Sequence, residues 1–244
     1  MKTTALWLAV LAAVAGLIGA ADLRAIEPLA TNFGLGTILH PVHEPDSIPH
    51  AKEWARLPCH KDHVYIFAVN GVNPMCLGNF NGLCTYLRNQ GFRNTYFGQL
   101  YTSNGFATKI RDTRHDDPDA RIALIGFSAG ANYVKATANS LAKDGVRIDL
   151  LVYLVGDTVW NTPASRPENV GRILNIRGKG LIFTGGDILG FNGADIDGAR
   201  NYRIECRHIL APSRSETLTL LMEELLPLAY RPSAVAVPTS RPSH

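Results

Sequence analysis

The sequence predicts an α/β protein: a mostly parallel sheet of about six strands with helices on both faces. Three observations carry this. From residue 63 onward, short β-branched and aromatic runs alternate with stretches whose apolar residues recur at helical spacing. The runs are apolar throughout, "IDLLVYLV" at 148–155 for example, as strands buried on both faces are. The third run ends abruptly in Gly126-Phe127-Ser128-Ala129-Gly130, and a helical stripe follows at once.

The elements follow in order. "HVYIFAVN" (63–70) is the first strand and ends at Asn70-Gly71. Leu77, Phe80, Leu83, Cys84 and Leu87 form a helical stripe, and "RNTYFGQL" (93–100) is the second strand. Residues 103–117 are a polar helix or loop closed by Pro118, and "RIALIGF" (121–127) is the third strand. Ala131, Val134, Ala138, Leu141 and Ala142 recur as a helix does. "IDLLVYLV" is the fourth strand, "GRILNIRG" (171–178) the fifth and "NYRIECR" (201–207) the sixth. Ser213 and Glu216 have the spacing of a capping box, ahead of Leu218, Leu221, Met222 and Leu225 on one helical face.

The ends of the chain differ in kind. Residues 5–21, "ALWLAVLAAVAGLIGAA", carry no charge and follow Lys2, with Gly19 and Ala21 as small residues before Asp22. Residues 1–21 therefore read as a signal peptide, with an uncleaved membrane anchor as the alternative; either places the domain outside the cytosol. Residues 22–62 form an irregular N-terminal segment, rich in Pro and His, with one short helical candidate at "HAKEWARL". The main domain is 63–230. The tail 231–244 has no periodicity and reads as disordered.

A chain of 244 residues with a net charge of +3 suits one sizeable core and argues against a nucleic-acid partner, since no Lys/Arg block tracks phosphates. In an oxidising compartment Cys59, Cys76, Cys84 and Cys206 could pair in three ways, and spacing alone does not choose. The competing reading is buried free thiols, which suits Cys206 inside an apolar strand. No cysteine or histidine spacing suggests a metal, and "GRILNIRGKG" lacks the Ser or Thr that a phosphate loop needs after Lys179. "GADIDGA" lacks the rest of a calcium loop.

The chemistry centres on Ser128. A serine hydroxyl is a weak nucleophile that must be presented rather than buried. A tight strand-to-helix turn lifts it above the sheet edge, and Gly126 and Gly130, lacking Cβ atoms, let strand and helix approach closely. The helix N-terminus adds positive potential, and the Ala129 amide points toward a reacting carbonyl. Composition alone yields G-x-S-x-G in roughly one chain of this length in ten, so the surrounding alternation of strands and helices decides the reading.

With "GFSAGAN", "YIFAVNGVNP" and a late histidine in "RIECRHILAPS", the chain resembles the α/β-hydrolase superfamily over residues 63–228. The resemblance implies an α/β-hydrolase fold, lidless here because only about 15 residues part the fourth strand from the fifth. It implies acyl hydrolysis by a Ser–acid–His triad in that chain order, with no cofactor and no metal. His208 follows the last strand, where the superfamily carries its base; His244 is the last residue of the tail. Asp157, directly after the fourth strand, is the favoured acid, and Asp187 the alternative; Asp195 and Asp197 lie further on. The oxyanion hole would use the Ala129 amide and that of Val72 or Asn73, with Asn70 and Gly71 supporting the loop. The superfamily often has His-Gly where this chain has Asn70-Gly71. The substrate expected is an ester, bulky or surface-bound, at an open, shallow site. "NPMCLGNFNGL" and Trp160 are candidate walls. The membrane would be a partner only through an uncleaved N-terminus. The competing reading is an exported, inactive binding or scaffold protein on the same fold.

Overall fold

The computed structural model describes residues 35–54, 56–71, 78–100, 103–156, 166–178 and 195–230. Its centre is a single six-stranded sheet, parallel at every pairing: β1 (Val64–Asn70), β2 (Thr95–Gln99), β3 (Arg121–Phe127), β4 (Ile148–Leu154), β5 (Val170–Arg177) and β6 (Arg200–Arg203). The spatial order is β2-β1-β3-β4-β5-β6. The fold class is the one the sequence predicts.

Strand alternation sorts the core into two faces. On the first, Ile66, Ala68, Ile125, Phe127, Val152, Leu154 and Ile176 pack under helix α3 (Phe80–Asn89) and the long C-terminal helix α6 (Ser215–Ala229). On the second, Phe67, Val69, Leu124 and Tyr153 pack under α4 (Phe106–Asp116) and α5 (Gly130–Ala142). Residues 103–117 are thus settled as a helix from Phe106. Each fully buried Leu, Ile or Phe contributes about 1.5–3 kcal/mol, and strands covered on both sides collect that from nearly every residue.

The described part of the N-terminal segment adds no strand. It holds two single-turn helices, α1 (Leu35–Leu39) and α2 (Ala51–Trp54), so "HAKEWARL" forms one turn only. It straps the first face. Val42, Ile48 and Trp54 pack on the core there, and Trp54 stacks on Tyr230 with ring centroids 5.9 Å apart. The His43 amide donates to the Ser213 carbonyl at 2.8 Å, and the His60 amide to the Ala229 carbonyl at 2.9 Å. Asn79 locks the strap to α3. Its Oδ1 accepts from the Gly82 amide at 3.1 Å, and its Nδ2 donates to the His40 carbonyl at 2.8 Å.

Ionic networks fasten the rest. Asp149 accepts from the Ile122 amide and from Arg114, both at 2.9 Å, and Arg114 also donates to the Arg147 and Ala120 carbonyls. This ties α4 to the entry of β3 and β4. Glu224 of α6 is buried between Arg172 (2.8 Å) of β5 and Arg200 of β6.

Three local expectations are corrected. β6 spans four residues, not 201–207. Cys206 therefore lies beyond the strand, although it is buried. The Ser213–Glu216 capping box does not form: α6 begins at Ser215 behind Arg214, and the Ser213 hydroxyl donates to the Leu210 carbonyl at 3.0 Å. Ser213 is already committed to a short 3-10 helix, His208–Ser213. Cys59, Cys84 and Cys206 carry free thiols, and Cys76 lies outside the described residues. The signal-peptide and tail assignments, at 1–21 and 231–244, also fall outside them. No described helix is long and apolar enough to cross a membrane.

Burial pushes the Cys84 thiol up to about 12 and the Cys206 thiol up to about 11, whereas Cys59 is exposed. Since the thiolate is the reactive form, Ellman's reagent at pH 8 is expected to titrate Cys59 in the native Cys76→Ser protein. Cys84 and Cys206 should react only on unfolding. Immediate reaction of all three would contradict this core.

Candidate active site

The strand order fixes where a crevice opens. The chain leaves β1 for β2 on one side of the sheet and returns to build β3 on the other, so the topology reverses at β1. The helix after β1 covers the first face and the helix after β3 covers the second. Between their diverging starts, outside the carboxyl ends of β1 and β3, lies the position where open α/β sheets bind ligands. Asn70-Gly71 and Ser128 stand at those two ends.

Ser128 occupies a sharp elbow. Its φ is 55°, in the left-handed region, although it is not glycine. Its amide donates to the Leu154 carbonyl at 3.0 Å, and its carbonyl accepts from the Ala131 amide at 3.0 Å. Ala129 is already in helical conformation, at φ −58° and ψ −22°. A residue so placed costs of order 1–3 kcal/mol and persists only where its surroundings over-determine it.

Three glycines supply that over-determination. A Cβ on Gly126 would lie 2.5 Å from the Gly130 carbonyl oxygen and 2.6 Å from the Ala131 Cα. A Cβ on Gly130 would run into the Val69 carbonyl. A Cβ on Gly71 would lie 2.7 Å from the Phe127 carbonyl oxygen and 2.8 Å from both the Ser128 Cβ and the Ala129 nitrogen. The backbones of β1, β3 and α5 therefore converge with no room for a side chain. Gly126 and Gly130 act as the sequence predicts. Gly71 does more than support its own loop: it lies directly against the elbow and the Ala129 amide.

His208 packs beside the residue before Ser128 from the far end of the chain. It is 7 % exposed and opens the 3-10 helix that follows β6. Its ring lies against that of Phe127, the residue before Ser128, with centroids 5.2 Å apart. Phe127 in turn stacks on Phe80 at 5.6 Å, and Phe80 packs on Phe97 at 6.1 Å. A column of three aromatic rings thus underlies the imidazole. The strap braces it from outside through the His43–Ser213 bond.

A second left-handed residue stands beside the first. Phe127 and Leu154 are register partners, so Val155 follows β4 as Ser128 follows β3. Val155 has φ 43°, is fully buried, and its amide donates to the Ile176 carbonyl at 2.7 Å. A β-branched residue there is a marked outlier. The turn it makes sets Gly156 against the first turn of α5, where a Cβ would lie 3.1 Å from that of Ala131.

The structure thus gathers Ser128, Ala129, Asn70, Gly71, Gly126 and Gly130 at the carboxyl ends of β1 and β3, and sets His208 against the adjacent Phe127. Asp157, Asp187, Val72, Asn73 and Trp160 lie outside the described residues. Of the more distant aspartates, Asp195 pairs with Arg177 at 3.4 Å and Asp197 is exposed. The expected wall "NPMCLGNFNGL" is described only from Gly78, and its Asn79, Phe80 and Leu83 are buried in the core. Two surface concavities among the described residues, of about 540 and 340 Å³, lie along the strap and touch neither Ser128 nor His208. Sequence reasoning missed Phe127 and Val155. An aromatic residue before the serine is locally unremarkable, and a valine gives no local sign of a left-handed turn.

No family model matches the chain, and no curated protein sequence does. Solved structures of similar chain path include the NocB thioesterase domain from the nocardicin cluster, at 14 % identity and TM-score 0.45, covering 67 % of this chain and 94 % of that one. An alpha-beta serine hydrolase homologue from Coxiella burnetii gives 13 % and 0.41, covering 76 % and 88 %. Aspergillus fumigatus lipase B gives 10 % and 0.39, covering 86 % and 69 %. These are likenesses of fold, and none assigns a role to a residue of this chain.

The elbow predicts opposite outcomes for two glycine exchanges. Ser128→Gly removes the left-handed strain and is expected to raise stability by about 0.5–1 kcal/mol in urea unfolding. Gly130→Ala is expected to lower it by more than about 2 kcal/mol, or to prevent folding, because backbone rather than a flexible side chain must move. A destabilised Ser128→Gly would argue against strain at this turn.

Proposed function

We propose that the chain is an exported serine hydrolase that cleaves carboxylic esters or thioesters. The observation that carries this is Ser128: a left-handed, non-glycine residue just after β3, 9 % exposed, fixed by three glycines, with a histidine ring against the adjacent Phe127. Strained residues of this kind cluster where function requires them.

In this reading Ser128 Oγ attacks the acyl carbon while His208 takes its proton. The carbonyl π pair moves onto oxygen, where the Ala129 amide and a second amide from Val72 or Asn73 stabilise it. The positive end of α5 adds to that field, and no acidic residue stands in the helix's first turn to oppose it. The tetrahedral species collapses as His208 returns the proton to the departing alkoxide or thiolate, leaving an acyl-serine. Water, deprotonated by His208, then attacks the acyl carbon and releases the acid and free Ser128. Asp157, or alternatively Asp187, holds the imidazole tautomer and stabilises its cation.

Export rests on the uncharged stretch 5–21 behind Lys2, removed as a signal peptide or retained as an anchor. The described thiols are unpaired, so the fold draws no stability from disulfides among them in either setting.

A fluorophosphonate probe is expected to add once to the wild-type chain by intact mass, and not at all to Ser128→Ala. Labelling of His208→Ala should slow by at least two orders of magnitude. Of Asp157→Asn and Asp187→Asn, the true acid should lose roughly 10³- to 10⁴-fold in kcat. A folded wild type that resists the probe and hydrolyses no ester would instead be a binding protein on this fold.

A further inference from the structure

The side chain of Asn70 is a buried polar group at the crevice that the chemistry above leaves unused. It ends β1, is 1 % exposed, and its Oδ1 has no hydrogen-bond partner among the described residues. Buried side-chain acceptors in folded proteins are satisfied with few exceptions, and each exception calls for a physical explanation. Packing alone does not supply one. An apolar side chain of similar volume would fill the space without stranding an oxygen.

Its position suggests what satisfies it. Alternation along β1 puts Asn70 on the face of Ile66 and Ala68, the face that carries Phe127 and, against Phe127, His208. The register pairs Val69 with Gly126, which sets Asn70 beside Phe127. The next residue, Gly71, lies against the Ser128 Cβ and the Ala129 nitrogen. The acceptor therefore belongs to the residue beside Phe127, on the face against which His208 packs, and one residue before the glycine that touches the Ser128 Cβ.

We infer that Asn70 is a specificity-determining residue whose Oδ1 accepts a hydrogen bond from an N–H or O–H that the acyl group carries within a few bonds of its scissile carbonyl. This rests on the serine-hydrolase reading and narrows its substrates. Acyl groups with a donor near the carboxyl end are favoured, and plain hydrocarbon acyl groups leave the acceptor unmet in a site that substrate has closed to water. A site built around a hydrogen bond rejects the analogue that lacks it more strongly than an apolar pocket rejects a missing methylene.

Two thioesters of N-acetylcysteamine test this: the N-acetylglycyl thioester, and its levulinyl isostere, in which CH2 replaces the N–H. Each kcat/KM is divided by the hydroxide rate of the same thioester, so that intrinsic reactivity cancels. Wild type is expected to favour the N–H substrate by about tenfold or more. In Asn70→Leu the ratio should fall to within about threefold of unity, with the loss on the N–H substrate. A purely structural asparagine would lower both rates together and preserve the ratio. Asn70→Ala carries the same expectation if the leucine variant does not fold, and melting curves identify which variants are native. Equal rates in wild type, or an undiminished ratio in either folded variant, overturns the inference. Fluorophosphonate labelling of wild type reads Ser128 separately. Labelling without N–H preference sinks this inference alone; no labelling and no turnover of either thioester sinks the serine-hydrolase reading and this inference with it.

Discussion

The structure depends on one steric constraint: three stretches of backbone meet where no side chain fits. Gly71 after β1, Gly126 within β3 and Gly130 opening α5 each face main-chain atoms at distances a Cβ could not tolerate. That convergence holds Ser128 in a conformation an isolated serine would avoid. The cost is modest beside the burial around it, since Phe127, Val69 and Ala131 are all buried within a residue or two. The core closes around the turn, and the turn has no cheaper conformation to relax into.

From that point the sheet divides labour between its ends. The amino-terminal end is fastened by charge: Asp149 gathers Arg114 and the Ile122 amide where β3 and β4 begin. Desolvation by burial lowers the Arg114 pKa from its ordinary value, and the neighbouring Asp149 carboxylate opposes that effect. The carboxyl-terminal end is fastened by shape. Phe97, Phe80 and Phe127 form a column, and His208 lies on its end. Aromatic rings set position through shape and stacking rather than charge. Asn70 adds a polar group among apolar neighbours on this face, its oxygen without a hydrogen-bond partner among the described residues.

The strap before β1 belongs to the same scheme. It covers the first face, stacks Trp54 on Tyr230, and hydrogen-bonds the helix that His208 opens. A segment without regular structure can serve this way because its backbone groups are taken up one at a time: His43 by Ser213, His60 by Ala229, and the His40 carbonyl by Asn79. Its composition offered no periodicity to read, so its role emerges only with its partners in place.

What the sequence determined by itself was local in origin. Apolar runs of strand length, helical stripes between them and a serine framed by glycines specify six parallel strands, their order along the chain and the elbow, because each signal lies within a few residues of what it shapes. His208 was legible as the one histidine following the last strand ahead of the tail. The tertiary structure decided the rest. It set Phe127 under His208 across 81 residues of chain, placed Gly71 against an elbow 57 residues away, left Cys59, Cys84 and Cys206 unpaired, turned Val155 left-handed beside Ser128, and drew Ser213 into a 3-10 helix instead of a cap. Each of these is a contact or a strain set by residues distant in sequence. A residue's own neighbours encode its period and its turn, while what presses on it from across the sheet exists only once the chain has folded.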